Sequence, residues 1–160
     1  VRVPFIASWA KPDAKNKFQK KYPIAQNAVQ LQQGTVMDLY PTILSVAHVK
    51  PPKHYALDGA DLKKLFQGKE DKKHRDDFLM HFPHGEHRAN YFTTYRKGDW
   101  KLIYYYHPET TGIPTWKLYN LKDDPYEKTE VSAEYPEKTA SMIEQMKDRL
   151  KEENALYPEE

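Results

Sequence analysis

The stretch Arg96-Lys97-Gly98-Asp99-Trp100-Lys101-Leu102 leaves this chain little choice of local fold. Lys97-Gly98-Asp99 reads as a tight glycine turn between two strands. Beyond it Trp100, Leu102, Tyr104 and Tyr106 recur at every second residue, so a strand over 100–107 puts all four on one face. Residues 91–96 supply the strand before the turn, and residues 78–82 an earlier one. Residues 115–121 supply a fourth, stopped by the acidic proline turn Asp123-Asp124-Pro125. Pro136 suits the first position of a final helix. In that helix Ile143, Met146 and Leu150 form an apolar seam, while Glu144, Lys147, Asp148 and Lys151 face water. Four short antiparallel strands with a helix across one face make a small α+β unit.

The front half follows a different period. Val36, Leu39, Tyr40, Ile43, Leu44 and Ala47 fall on one face of a helix. Thr35 or Asp38 can cap it; Pro41 belongs in a first turn and so favours Asp38. Val49-Lys50-Pro51-Pro52 ends the helix. Leu57-Asp58-Gly59 is a turn, followed by a short helix over 60–66 closed by Gly68. Residues 1–9 read as a buried strand, 10–23 as a lysine-rich loop and 28–32 as a short alternating strand. A chain that begins on a buried strand, without an initiating Met, is expected to have been cut inside a domain. The run Lys69-Glu70-Asp71-Lys72-Lys73-His74-Arg75-Asp76-Asp77 reads as a solvated hinge between two parts.

Composition narrows the functional classes. Lys and Arg number 25 against 23 Asp and Glu, which gives no long-range field for nucleic acid. With no Cys, disulfides, thiolate-bound zinc and a cysteine nucleophile are excluded within these 160 residues. No apolar run is long enough to span a bilayer as a helix. A mean hydropathy of −0.92 is polar for a self-contained domain, and fits a piece that closes against more protein as well as a small polar domain.

Taken in order, several blocks resemble the C-terminal region of the sulfatases, sulfate-ester hydrolases of the alkaline-phosphatase superfamily. The blocks are Arg2-Val3-Pro4, Asp38-Leu39-Tyr40-Pro41-Thr42-Ile43-Leu44, Asp58-Gly59-Ala60-Asp61-Leu62 with Leu65 and Gly68, the Arg96–Leu102 turn, and Leu118-Tyr119-Asn120-Leu121-Lys122-Asp123-Asp124-Pro125-Tyr126-Glu127. One departure stands out: Glu130-Val131-Ser132 replaces the family's usual Asn-Leu-Ala.

The resemblance implies that residues 1–68 are the C-terminal end of a large α/β catalytic domain and residues 69–160 a small C-terminal subdomain. It implies a parent enzyme in which a formylglycine, a divalent cation (usually Ca²⁺) and the catalytic Lys and His residues lie before Val1. No catalytic or metal-binding position is therefore expected here, and the fragment alone should be inactive. The implied partners are the N-terminal sulfatase domain and a sulfated carbohydrate, in a periplasmic or secreted setting.

One polar cluster stands apart: His81-Phe82-Pro83-His84-Gly85-Glu86-His87-Arg88. Three histidines beside a Glu are the right donors for zinc, but Pro83 and Gly85 break the regular geometry that would bring them together. A loop of exposed histidines is the plainest reading of the residues alone. The resemblance adds another: such loops reach the pocket rim, where His81, His84, His87 and Arg88 would contact a sulfated sugar. The aromatics interleaved with Arg96, Lys97 and Lys101 are the parts of a nucleic-acid platform, yet near-neutral charge favours cross-strand packing. Asp123, Asp124 and Glu127 need no ion, since Asp-Pro turns form without one. The rival functional class is a stand-alone carbohydrate- or protein-binding module. It requires a complete core, whereas a fragment should expose apolar surface over 1–9 and 36–47.

Overall fold

The computed structural model describes residues 3–83, 91–107, 112 and 114–157. The chain divides into two units, Val1–His74 and Arg75–Glu160.

The second unit is a four-stranded antiparallel sheet in the order of the sequence: β1 (Asp77–Phe82), β2 (Phe92–Lys97), β3 (Trp100–Tyr105) and β4 (Trp116–Asn120). Lys97 pairs with Trp100 around a turn in which Gly98 takes φ +56°, a conformation costly for any residue with a Cβ. Alternation then sorts the side chains. Tyr95, Leu102 and Leu118 point to one face and meet Met142, Met146 and Leu150 of the final helix (Pro136–Glu152), with Leu79, Trp100, Tyr104, Trp116 and Ile143 around them. Met142 shares the buried seam with Met146 and Leu150, while Ile143 sits only partly covered at its side. Ile103, Tyr119 and Leu121 form a smaller cluster with Phe92 and Tyr105, on the strand positions of opposite parity.

Polar groups lock the ends of this unit. The Tyr95 hydroxyl donates to Asp77 at 3.2 Å, and Arg149 reaches Asp77, Glu152 and Glu153 at 3.4, 2.6 and 2.7 Å. On the outer edge of β4, Glu130 Oε1 accepts from the backbone N–H groups of Leu118 at 2.9 Å and Ser132 at 2.7 Å, while Val131 N–H donates to Leu118 C=O at 3.0 Å. The residue that breaks the family pattern thus uses a side-chain oxygen that an Asn also carries. The Asp-Pro turn is equally self-contained. Asp124 accepts from Lys128 and Thr129 N–H, Asp123 from the Asn120 amide, and Glu127 from Lys101 at 2.6 Å.

The first unit is mostly loop around three short helices: α1 (Lys17–Lys21), α2 (Leu39–Val46) and α3 (Lys63–Phe66). The final helix of the chain is α4. Asn16 caps α1 through N–H donors of Phe18 and Gln19, a helix hidden in what the lysine-rich composition presents as loop. A 3-10 turn (Val36–Asp38) precedes α2, and it carries the capping box: Thr35 is the cap, and Asp38 reaches back to it. The expected choice of Asp38 as side-chain cap is therefore corrected, because its carboxylate is committed elsewhere.

Asp38 is the hub of this unit and is almost fully buried. Its Oδ2 accepts from Thr35 N–H at 2.6 Å and Thr35 Oγ1 at 3.1 Å, its Oδ1 from Ala60 N–H at 2.8 Å, and His74 Nε2 lies 3.5 Å away. The Thr42 hydroxyl donates to the Asp38 carbonyl at 2.6 Å and accepts from Leu62 N–H at 2.9 Å. Gly59 packs so tightly here that an added Cβ would lie 2.1 Å from the Met37 carbonyl oxygen. The Asp-x-x-Pro-Thr and Asp-Gly-x-x-Leu blocks, separate in sequence, are two halves of one hydrogen-bonded joint.

Three local expectations fail. Residues 3–9 and 28–32 form no strand, since no neighbouring strand pairs with them among the described residues. The charged run is not a solvated hinge throughout. Gln30 and Gln32 bind the backbone at Lys69 and Asp71, Lys64 pairs with Asp71 at 2.7 Å, and His74 is buried.

Candidate functional site

The pairing of β1 with β2 sets His81 directly opposite Thr93, and that of β2 with β3 sets Thr93 opposite Tyr104. Opposed side chains on one face of an antiparallel pair are close enough to bond. His81 Nδ1 lies 2.7 Å from Thr93 Oγ1, and Thr93 Oγ1 lies 2.9 Å from the Tyr106 hydroxyl. Tyr106 sits one residue past β3, held in line by its N–H bond to the Tyr91 carbonyl at 3.0 Å. The other ring nitrogen, Nε2, lies 2.5 Å from the backbone carbonyl oxygen of Leu156, in the tail beyond α4.

Aromatic rings surround this chain of bonds. Tyr157 meets the rings of His81 and Tyr106 edge-on at 6.0 and 6.2 Å. Tyr106 continues to Tyr104 at 4.6 Å, and Tyr104 to Trp116 at 4.4 Å. The row crosses the end of the sheet at which β1 and β3 finish and β2 and β4 begin. Burial holds the Tyr106 hydroxyl above its ordinary pKa. Thr93 is completely buried, whereas Tyr157 is more than half exposed.

Of the four residues expected to contact substrate, the structure places His81, half-buried in β1 with both ring nitrogens engaged. His84, His87 and Arg88 lie outside the described residues. Thr93 and Tyr106 were not singled out for a site role from the sequence, although a Thr alternating with aromatics in a predicted strand marks a buried hydroxyl in need of a partner. Among the described residues no group of three or more His, Asp or Glu side chains is placed to hold a metal ion, and no helix is long and apolar enough to cross a membrane.

A four-stranded antiparallel sheet with a helix across it, following a short helical unit, places the chain in the class of sulfatase C-terminal regions. It belongs to the family described as N-sulphoglucosamine sulphohydrolase, C-terminal, whose model matches residues 2–155. An uncharacterized sulfatase of Schizosaccharomyces pombe is 33% identical over 138 residues, covering 78% of this chain and 23% of the relative. A sulfatase of Formosa agariphila is 32% identical over 146 residues, covering 82% of this chain and 25% of the relative. Human N-acetylgalactosamine-6-sulfatase is 35% identical over 75 residues, 44% of this chain and 14% of its own length. Among solved structures, BT4656 in complex with its substrate D-glucosamine-2-N,6-O-disulfate superposes with a TM-score of 0.57 at 29% identity, over 71% of this chain and 23% of that one. The chain thus spans about a quarter or less of the length of the relatives it matches.

Proposed function

We propose that this chain is the C-terminal part of a sulfatase that hydrolyses sulfate esters of a sulfated glycan, and that it has no activity by itself. One observation carries the reading: the first unit presents a large apolar surface to water. Val3, Phe5 and Ile6 are 78%, 58% and 88% exposed, and Val36, Tyr40 and Ile43 on one side of α2 are 79%, 48% and 63% exposed. Covering a side chain of this size is worth about 1.5–3 kcal/mol, so six together demand a partner surface. A stand-alone module with a complete core would not leave them open. The lengths of the relatives supply the partner, a preceding catalytic domain of which residues 1–68 are the last part.

In this reading the formylglycine and a divalent cation, Ca²⁺ by family resemblance, are carried by that preceding segment, and no step of the chemistry runs through this chain's described residues. Residues 69–160 close one side of the cleft. His84, His87 and Arg88 form its rim, where imidazole and guanidinium donors suit sulfate and sugar oxygens, while His81, whose ring nitrogens both have protein partners, holds the base of that rim in place. The names of the relatives, which include an N-acetylgalactosamine-6-sulfatase and a complex with a disulfated glucosamine, support a sulfated amino sugar or glycan as substrate. A periplasmic or secreted location follows from the same family.

Joining this chain to a catalytic segment tests the proposal. The chain alone should bind a hydrophobic dye and leave a chromogenic sulfate ester intact. The joined protein should lose most dye binding and hydrolyse the ester. Hydrolysis by the isolated chain, or equal dye binding by both, would sink the reading.

A further inference from the structure

We propose that Tyr106, Thr93 and His81 form a positioning relay that clamps the tail after α4 to the end of the sheet at which β1 finishes. The polarity of the relay follows from its last member. The Leu156 carbonyl can only accept, so His81 Nε2, 2.5 Å away, carries the proton. In a neutral ring Nδ1 is then the acceptor. Thr93 Oγ1 donates to it across 2.7 Å and, its one proton used, accepts from the Tyr106 hydroxyl across 2.9 Å. The Tyr106 hydroxyl also lies 3.4 Å from Nδ1, a longer second route for its proton to the same acceptor. Thr93 is 0% and Tyr106 7% exposed, so the two hydroxyls satisfy each other and Nδ1 rather than water.

His81 is therefore a positioning residue, with no nitrogen free for substrate. Its ring fixes two things at once: the tail carbonyl on one side, and on the other the end of β1, two residues before His84. Tyr157 packs edge-on against both His81 and Tyr106 and covers the open side of the clamp. The consequence for substrate selection rests on the rim proposed above; the clamp itself does not.

Nitrogen-15 ring spectra of the 160-residue chain read the tautomer directly. The expected result is a protonated Nε2 and a bare Nδ1 on His81. Thr93→Val, which keeps the buried shape, should leave the Nε2 proton that the Leu156 carbonyl fixes and raise the open-to-closed ratio of the tail about five-fold, the equivalent of one hydrogen bond, read from nuclear Overhauser effects between the Tyr157 and Tyr106 rings. His81→Gln, whose amide reaches the Nε2 position, should keep the tail in place, and His81→Asn should release it. A protonated Nδ1 in the unaltered chain, or unchanged Tyr157–Tyr106 ring contacts in His81→Asn, overturns the clamp. In the protein joined to its catalytic segment, Thr93→Val should raise KM for a sulfated glycan about five-fold and leave kcat within about two-fold. An unchanged KM beside the expected ring spectrum overturns the role in selection. A joined protein without any hydrolysis, Thr93 intact, counts instead against the proposed function.

Discussion

Gly59 shows how far one residue type can be dictated by its surroundings. Its Cα faces the Met37–Asp38 peptide so closely that a Cβ would overlap backbone atoms at 2.1, 2.3 and 2.6 Å, and backbone cannot swing aside as a side-chain tip can. Gly59→Ala should therefore destabilise the first unit by about 2–3 kcal/mol, measured by urea unfolding of the protein joined to its catalytic segment, and should weaken the Ala60-to-Asp38 bond with it. A loss below about 0.5 kcal/mol would mean that the joint is looser than its geometry.

Tyrosines make a second residue-scale case. Burial is the leading cause that raises the pKa of Tyr22, Tyr95, Tyr105, Tyr106 and Tyr119, five of the twelve in the chain, and hydrogen bonds to Asp61 and Asp77 add to it for Tyr22 and Tyr95. A raised folded pKa means that the folded state holds its proton longer than the unfolded one. The stability this confers is complete below about pH 10 and is lost as pH climbs through the folded values. Alkaline titration followed at 295 nm should show part of the tyrosinate signal appearing only in step with unfolding. A single early transition for all twelve would contradict it.

Elements were legible in the sequence wherever the chain contains its own partner. The four strands and α4 carry clean periods because each buries its apolar face against another of the same set, as Leu102 and Leu118 do against Met146. Residues 1–9 have the composition of a strand and the described residues 3–9 form none, because apolar character says that a segment wants cover but not where the cover comes from. For the same reason the sequence exposed two sulfatase signatures without showing that Asp38, Thr42, Ala60 and Leu62 knit them together. The histidine cluster was legible as a cluster; that His81 faces Thr93 depends on strand register, which spacing alone does not reveal.

The edge of β4 gives the element-scale prediction. Burial tends to raise the Glu130 carboxyl, but the N–H bonds from Leu118 and Ser132 and the charge of Lys117 outweigh it, leaving its pKa below the usual value. A depressed folded pKa contributes stability above the unfolded pKa, lost as pH falls through the folded one. Glu130→Gln keeps one acceptor oxygen without the charge. It should cost about 1 kcal/mol near neutral pH and flatten the decline below about pH 4.5, since the group is largely exposed and screened. Identical acid slopes for both proteins would remove Glu130 from the edge's stability.

On the scale of the whole molecule, the two units carry unequal shares of core. Tyr95, Leu102, Leu118, Met142, Met146 and Leu150 close the second around a continuous interior, while the first buries Tyr22, Leu62 and Leu65 and leaves residues such as Phe5, Ile6 and Ile43 in water. Hydrogen bonds alone, however well placed around Asp38, contribute little net stability where apolar burial is missing. Residues 75–160 expressed alone should therefore fold into the sheet and helix and unfold in one cooperative step. Residues 1–74 alone should show little fixed structure and gain it only when a catalytic segment covers Val3, Phe5, Ile6 and α2. Circular dichroism and denaturant melts of the two pieces decide the matter. A cooperative melt from residues 1–74 alone would mean that the exposed apolar side chains need no cover, and would remove the main physical support for a covering domain.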